Sequence, residues 1–139
     1  MNMFSISTLI MLLFAGFCRA EIYVITHRDN PVESLSSNEL QDLYLARNQT
    51  FTNGEHATIY EGGGDDLRSR FIRLALGMRV RQFDAYWARL VFAGRVLPLN
   101  HVNEETQLLE HIATNIYAIG YINRPPLSES VKTLIVLND

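Results

Sequence analysis

The segment of residues 61–66, Glu-Gly-Gly-Gly-Asp-Asp, has a composition suited to holding a small anion. Its glycines follow a short apolar run and precede a helical pattern, and the free backbone N–H groups at the start of a helix attract negative charge. A second interpretation is that Asp65 caps this helix with its own side chain, which would occupy the same N–H donors. The candidate ligand-binding residues of this segment are Glu61, Gly62, Gly63, Gly64, Asp65 and Asp66.

The acidic side chains of this segment oppose the binding of a small dianion. Glu61, Asp65 and Asp66 each carry a negative charge. At a separation of 4 Å, two like charges repel by about 1 kcal/mol in water and by roughly 4 kcal/mol near a protein surface. Arg68 and Arg70 follow on the same helix, but residues two positions apart on a helix point in different directions. Tight binding of such an anion is therefore not expected from this segment alone.

The loop that follows the first predicted strand provides a second candidate segment. It contains Thr26, His27 and Arg28. Open α/β sheets place their ligands at the carboxyl ends of strands. Because both segments follow predicted strands, we predict that Thr26, His27 and Arg28 contribute to the same ligand site as residues 61–66.

Other kinds of chemistry have little support in the sequence. It contains no Gly-x-Ser-x-Gly elbow, Walker loop or dinucleotide fingerprint, and no set of nucleophile and base, so we expect a protein that is not an enzyme and uses no cofactor. The four histidines lack metal-ligand spacing, so no metal site is expected. They are His27, His56, His101 and His111.

The charge balance bears on the class of partner. The chain has 12 Lys and Arg against 15 Asp and Glu, a formal net charge of -3, which argues against a nucleic-acid-binding protein with a basic face. Several arginines nevertheless fall along two neighbouring helical segments. They indicate either a solvated surface or a docking site for an acidic partner. These arginines are Arg73, Arg79, Arg81, Arg89 and Arg95.

The N-terminal segment is typical of a secretory signal. Residues 9–17 form a short apolar run, too short to span a membrane, and Cys18-Arg19-Ala20 places small residues where a signal peptidase cleaves. An N-terminal buried helix is the alternative. We predict a signal peptide over residues 1–20 and a single periplasmic domain over residues 21–139, with no stable membrane span after cleavage. Cys18 is the one cysteine, so the mature domain has no disulfide.

The rest of the chain alternates predicted strands and helices. Predicted strands cover residues 21–27, 57–61, 117–122 and 133–137, and predicted helices cover 36–46, 66–76, 80–93 and 104–114. Ser36 and Glu39 have the spacing of a capping box, Asp65 and Asn103 are predicted N-caps, and Gly77 is a predicted left-handed stop. This alternation predicts an open, mostly parallel or mixed sheet flanked by helices, which is an α/β fold.

Several spaced motifs resemble those of the phosphate-binding proteins of ABC transporters. These are residues 40–46 (LQDLYLA) with 50–54 (TFTNG), then Phe71, Trp87 and Gly94, and above all residues 118–122 (AIGYI). The resemblance implies a periplasmic-binding-protein-like fold, with a mixed sheet of about four to five strands. It also implies a single lobe, since the two-lobed members of that family are longer.

The resemblance further implies an altered anion site. The arginine of the family's site corresponds to Glu61, and its Ser-Gly-Thr corresponds to Asp65, Asp66 and Leu67. One hypothesis is that the protein binds a small solute, such as the oxyanion phosphate, at this altered site. The alternative is a periplasmic protein-interaction or sensory accessory module that docks on an envelope protein or associates with itself.

Overall fold

The computed structural model of the protein describes residues 20–139. The predicted signal segment, apart from Ala20, lies outside the described residues. The described part contains five strands and four helices in the following order: β1 (Ile22–His27), α1 (Ser37–Tyr44), β2 (Thr58–Gly62), α2 (Asp65–Leu76), α3 (Val80–Phe92), β3 (Asn100–Val102), α4 (Glu105–Thr114), β4 (Ala118–Ile122) and β5 (Val131–Leu137). The predicted α/β class is confirmed.

The boundaries of α1 and α2 follow local signals in the sequence. The Oγ atom of Ser36 accepts a hydrogen bond from the backbone N–H of Glu39 at 3.1 Å, and the carboxylate of Glu39 accepts one from the N–H of Ser36 at 2.8 Å. This is the predicted capping box. Gly77 ends α2 with a left-handed backbone, φ 63°, as predicted.

Two predicted helix caps are wrong. Asp65 is the first residue of α2 and not its cap, because Gly64, with φ 88°, takes the cap position and no side chain caps the helix. Asn103 does not cap α4 either, since Glu104 holds that position. The amide oxygen of Asn103 instead lies 2.9 Å from Nε2 of His101. Asn103 follows β3, a short strand that is not among the predicted ones.

The five strands form one mixed sheet in the order β3-β2-β4-β1-β5. β2 runs parallel to both β3 and β4. β1 runs antiparallel to both β4 and β5. The carboxyl ends of β2, β3 and β4 therefore meet at one edge of the sheet, and the carboxyl end of β1 lies at the opposite edge.

Alternating residues of the strands belong to two apolar clusters, one on each face of the sheet. The larger cluster contains the buried residues of α1, α2 and α3, and the smaller one contains those of α4. In the larger cluster the rings of Phe71 and Tyr121 stack with 3.8 Å between centroids, and Tyr44 meets Phe71 edge-on. The indole N–H of Trp87 donates to the carbonyl of Tyr44 at 3.0 Å, which ties α3 to α1.

Among the helices of residues 20–139, none combines the length and apolar character needed to cross a lipid bilayer.

Candidate functional site

A cleft of about 250 Å³ opens at the edge where the carboxyl ends of β2, β3 and β4 meet. Its walls are the ends of these three strands and the first turns of α2 and α4. The principal lining residues are Glu61, Gly62, Gly63, Leu67, Val102, Asn103, Glu104, Glu105, Leu108, Tyr121, Ile122 and Asn123. A cleft at this edge is where open α/β sheets bind ligands.

The glycine turn packs closely against the neighbouring strands. Gly62 has φ 134°, and a Cβ atom there would lie 2.2 Å from the carbonyl oxygen of Val102, so only glycine fits. The N–H of Gly62 donates to the hydroxyl of Tyr121 at 2.9 Å, and the N–H of Gly63 donates to the carbonyl of Val102 at 2.8 Å. These contacts fix the position at which α2 begins.

Two helices begin at this cleft, and neither has a side-chain cap. α2 follows Gly64, and α4 follows Glu104, without a hydrogen bond from either cap side chain to the first turn. The first N–H groups of a helix have no partner within the helix. The alternative in which the Asp65 side chain occupies the donors of α2 is therefore wrong. The backbone N–H groups of both first turns are available to a ligand.

Glu61 is not an open negative charge at the cleft, because Arg68 pairs with it and His101 lies within hydrogen-bond distance. Its side chain is 9% exposed, and Oε2 lies 2.5 Å from Nε of Arg68. Oε1 lies 3.1 Å from Nδ1 of His101. Nη2 of Arg68 also binds Asp84, at 2.6 Å, and its guanidinium lies over the ring of Phe83. Arg68 therefore offers no unpaired guanidinium to the cleft, because two carboxylates already hold it.

The ionisation of Arg68 and Tyr121 reflects this cluster. Burial by itself would lower the pKa of Arg68, but its hydrogen bonds to Asp84 and Glu61 outweigh burial and raise that pKa. Burial raises the pKa of Tyr121, and the negative charge of Glu61 adds to the increase. The Tyr121 hydroxyl therefore stays neutral, and its proton can be donated.

The remaining rim of the cleft is acidic. Glu104 lines the cleft, and Asp65 and Asp66 lie beside it in the first turn of α2. All three are exposed, and within residues 20–139 none has a basic side chain within 4.0 Å. Glu105 pairs with Arg124, and its hydrogen bond raises the pKa of Arg124. The positive potential in the cleft therefore comes from backbone N–H groups, while the rim side chains are negative.

The first candidate segment, at the end of β1, does not reach this cleft. Thr26 pairs with Ile119 and its Oγ1 donates to the carbonyl of Ala118 at 2.7 Å, at the start of β4. Because β1 is antiparallel to β4, the structure does not bring Thr26, His27 and Arg28 together with residues 61–66. Thr26 is fully buried, and its hydroxyl also accepts from Nδ2 of Asn30 at 2.9 Å, so it has a structural role.

His27 and Arg28 lie beside Thr26 at that opposite edge. Nδ1 of His27 accepts a hydrogen bond from the backbone N–H of Asp29 at 2.9 Å. The backbone N–H of Arg28 donates to the carbonyl of Ser130, and its side chain lies 3.6 Å from Asp29. These contacts connect the end of β1 to the start of β5.

Several further residues of the cleft were not predicted from the sequence as ligand-binding residues. No motif marks them for that role, because they come together only when β3 and β4 pair with β2. They include Asn103, Glu104, Glu105, Tyr121 and Asn123. In the described part of the chain, residues 20–139, no three His, Cys, Asp or Glu side chains are grouped so that they could hold a metal ion.

Comparisons with known proteins identify the fold. No family model matches the sequence, and no curated protein matches it. A structure described as a phosphate ABC transporter substrate-binding protein of Clostridium perfringens, with bound phosphate, is similar with a TM-score of 0.65 and 19% identity over 83% of this chain and 45% of that one. An ABC-type phosphate transport receptor of Vibrio cholerae is similar with a TM-score of 0.62 and 17% identity over 83% of this chain and 46% of that one.

This chain therefore spans less than half the length of these solved proteins. The fold expected from the resemblance, that of phosphate ABC transporter substrate-binding proteins, is confirmed.

Proposed function

We propose that this protein is an exported solute-binding-like protein that holds a small oxyanion such as phosphate in the cleft at the ends of β2, β3 and β4. The observation that carries the proposal is the convergence of two uncapped helix N-termini on that cleft. The similarity to proteins described as phosphate-binding supports the choice of ligand. Export rests on the signal-like sequence of residues 1–20.

The donors for such a ligand would be mostly backbone groups. The N–H groups of the first turns of α2 and α4 point along the helix axes, and the amides of Asn103 and Asn123 line the cleft. Arg68 supplies no free charge, because Glu61 and Asp84 hold its guanidinium. The site thus resembles a backbone nest more than an arginine clamp.

The acidic rim would select the protonation state of the ligand. Monohydrogen phosphate has two negative charges, and Glu104 beside the cleft would repel it. Dihydrogen phosphate has one negative charge and two hydroxyl groups, which can donate to a carboxylate. We therefore expect phosphate to bind more tightly at pH 6 than at pH 8.

The affinity should be modest, because one wall of the site is missing. Tight small-ligand sites enclose roughly 70–90% of the ligand. This chain covers less than half of the solved proteins it resembles, and its cleft is open on one side. A dissociation constant near 1 mM corresponds to about 4 kcal/mol of binding free energy, which a few backbone hydrogen bonds can provide.

Titration followed by amide NMR is the direct test. The protein would be recovered from its secreted fraction, where mass spectrometry should show Glu21 as the first residue. Phosphate and sulfate should shift the amide signals of residues 62–66 and 104–106, and chloride at equal ionic strength should not. The absence of shifts with both oxyanions would reject the proposal.

A further inference from the structure

A second concave surface lies at the other end of β2. It is a groove of about 390 Å³ between the loop that precedes β2 and the segment that follows α3. We call it the basic groove and define it by His56, Trp87, Arg95, Leu97 and Leu99. It is separate from the cleft, which lies at the carboxyl end of the same strand.

Large apolar side chains are exposed in one wall of the basic groove and at the end of α3 that precedes it. Leu97 lines the groove and is 85% exposed, and Phe92, which ends α3 outside the groove lining, is 91% exposed. A single exposed apolar side chain needs no explanation. Two of them five positions apart, beside a concave surface floored by Trp87, are typical of a contact surface.

The same part of the chain is strongly basic. Residues 77–100 contain four arginines and one acidic residue, Asp84, which Arg68 already binds. All four arginines are exposed, and within residues 20–139 none has a carboxylate within 4.0 Å. They are Arg79, Arg81, Arg89 and Arg95, of which Arg95 lines the basic groove.

The opposite charge lies at the other end of β2. Glu104 is an exposed carboxylate that lines the cleft, and Asp65 and Asp66 are exposed in the first turn of α2 beside it. A strand of five residues is only about 16 Å long, so the chain is polarised in charge across a short distance. One end offers a basic, apolar groove, and the other offers an acidic rim around an open cleft with an apolar wall.

We propose that the basic groove docks onto the cleft end of a second copy of this chain, so that copies associate head to tail. A second copy is the occupant that the charges favour, because the complementary surface is on the same chain. The contact would place Arg95 of one copy beside Glu104 of the next. Such an interface is heterologous, so association continues beyond two copies.

This association would also complete the oxyanion site. Within the described residues 20–139, the lining of the cleft has acceptors and backbone donors but no basic side chain, and Arg95 of a second copy would supply one. That consequence rests on the proposed function, whereas the docking itself does not. Phosphate should then strengthen the association, since it would lie between the guanidinium and the helix N-termini.

Sedimentation velocity of the secreted protein tests the docking. At about 20 mM salt the average mass should rise with protein concentration, and at about 500 mM salt it should fall to that of the monomer, because salt screens such contacts. Arg95→Glu and Glu104→Arg should each be monomeric. Association should return in their equimolar mixture, because the groove of Glu104→Arg keeps Arg95 and fits the cleft of Arg95→Glu, which keeps Glu104.

The control is Glu110→Arg, which makes the same change in charge at an exposed position of α4 outside the cleft and should associate as the native chain does. Circular dichroism spectra establish that each variant is folded. A native protein that stays monomeric at low salt overturns the proposal. So does association that persists in both single variants, or binding to anionic lipid vesicles through Arg95 without self-association. Association without any effect of phosphate would leave the docking in place and reject only the oxyanion site.

Discussion

Nε of Arg68 lies 2.5 Å from Oε2 of Glu61, so the first turns of α2 are tied to the end of β2 by a largely buried ion pair. The two side chains are 16% and 9% exposed. Removing one partner of such a pair leaves the other charge without compensation. The pair therefore matters for the position of the glycine turn as well as for stability.

Arg68→Met should lower the free energy of unfolding by about 2 kcal/mol, which is less than the loss at a fully buried pair because both groups keep some exposure. The double variant Arg68→Met with Glu61→Gln should lose less unfolding free energy than the two single variants lose together. Urea denaturation measures all three variants. The control is Arg73→Met, which removes an ion pair with Asp139. The two side chains of that pair are 62% and 46% exposed, so the free energy of unfolding should fall by less than about 1 kcal/mol. Additive single and double changes would contradict the coupling.

Two neighbouring glycines should differ sharply when they are replaced by alanine. At Gly62 a Cβ atom would lie 2.2 Å from the carbonyl oxygen of Val102, and at Gly64 it would meet nothing within 4 Å. Both glycines have a positive φ, so Gly64→Ala should lower the free energy of unfolding by about 1–2 kcal/mol through backbone strain alone. Gly62→Ala should lower it by about 4 kcal/mol, because the backbone at Val102 must also move. Thermal unfolding compares the pair, and equal losses would contradict the close approach.

Local signals predicted most elements of the fold. The capping box of Ser36 and Glu39 and the left-handed Gly77 mark helix ends through contacts within a few residues, and the structure has both. Residues 118–122 form a continuous apolar run that becomes the fully buried strand β4. By contrast, β3 has three residues, two of them exposed, so no alternation could reveal it.

The candidate site was only partly predictable, because its geometry depends on strand direction. The sequence marks Thr26 and Glu61 equally as residues near the ends of strands, but only the pairing of β1 with β4 shows that these ends lie at opposite edges. The cap of α2 depends on a similar detail. Gly64 adopts a positive φ and becomes the cap, so Asp65 lies in the first turn of α2. Its negative charge there interacts favourably with the helix dipole.

Stability should decline at alkaline pH because of two buried tyrosines. Burial raises the pKa of Tyr44 and of Tyr121, so in the folded protein both keep their protons when the unfolded chain loses them near pH 10. The unfolded state then binds fewer protons, and the free energy of unfolding falls as pH rises above about 10, by up to about 1.4 kcal/mol per pH unit for each tyrosine. Below about pH 9 these groups contribute no pH dependence. Urea denaturation between pH 8 and about 11 should show a shallower decline in Tyr121→Phe than in the native chain, and identical slopes would contradict this assignment.

Thr26 should affect stability and not ligand binding. Thr26→Val keeps the shape of the side chain but leaves the carbonyl of Ala118 and Nδ2 of Asn30 without their partner in a buried position. The expected loss is about 1–3 kcal/mol of unfolding free energy. Thr26→Ser keeps the hydroxyl and should lose less. Phosphate affinity, measured by NMR titration under folding conditions, should be the same in both variants, and a weakened affinity in Thr26→Val alone would return Thr26 to the ligand site.

Glu104→Gln should strengthen phosphate binding. Glu104 is exposed at the start of α4, lines the cleft, and has no basic side chain within 4.0 Å among residues 20–139. Neutralising it removes one repulsive charge near the bound anion. Across a few ångströms of partly solvated protein that repulsion is about 1 kcal/mol, which corresponds to a roughly fivefold decrease in the dissociation constant. The gain should shrink at high salt, because salt screens exposed charges. Glu110→Gln removes a charge from the same helix at an exposed position outside the cleft and should change the affinity little. Equal gains in the two variants would mean that overall charge, and not the position of Glu104, controls the binding of the anion.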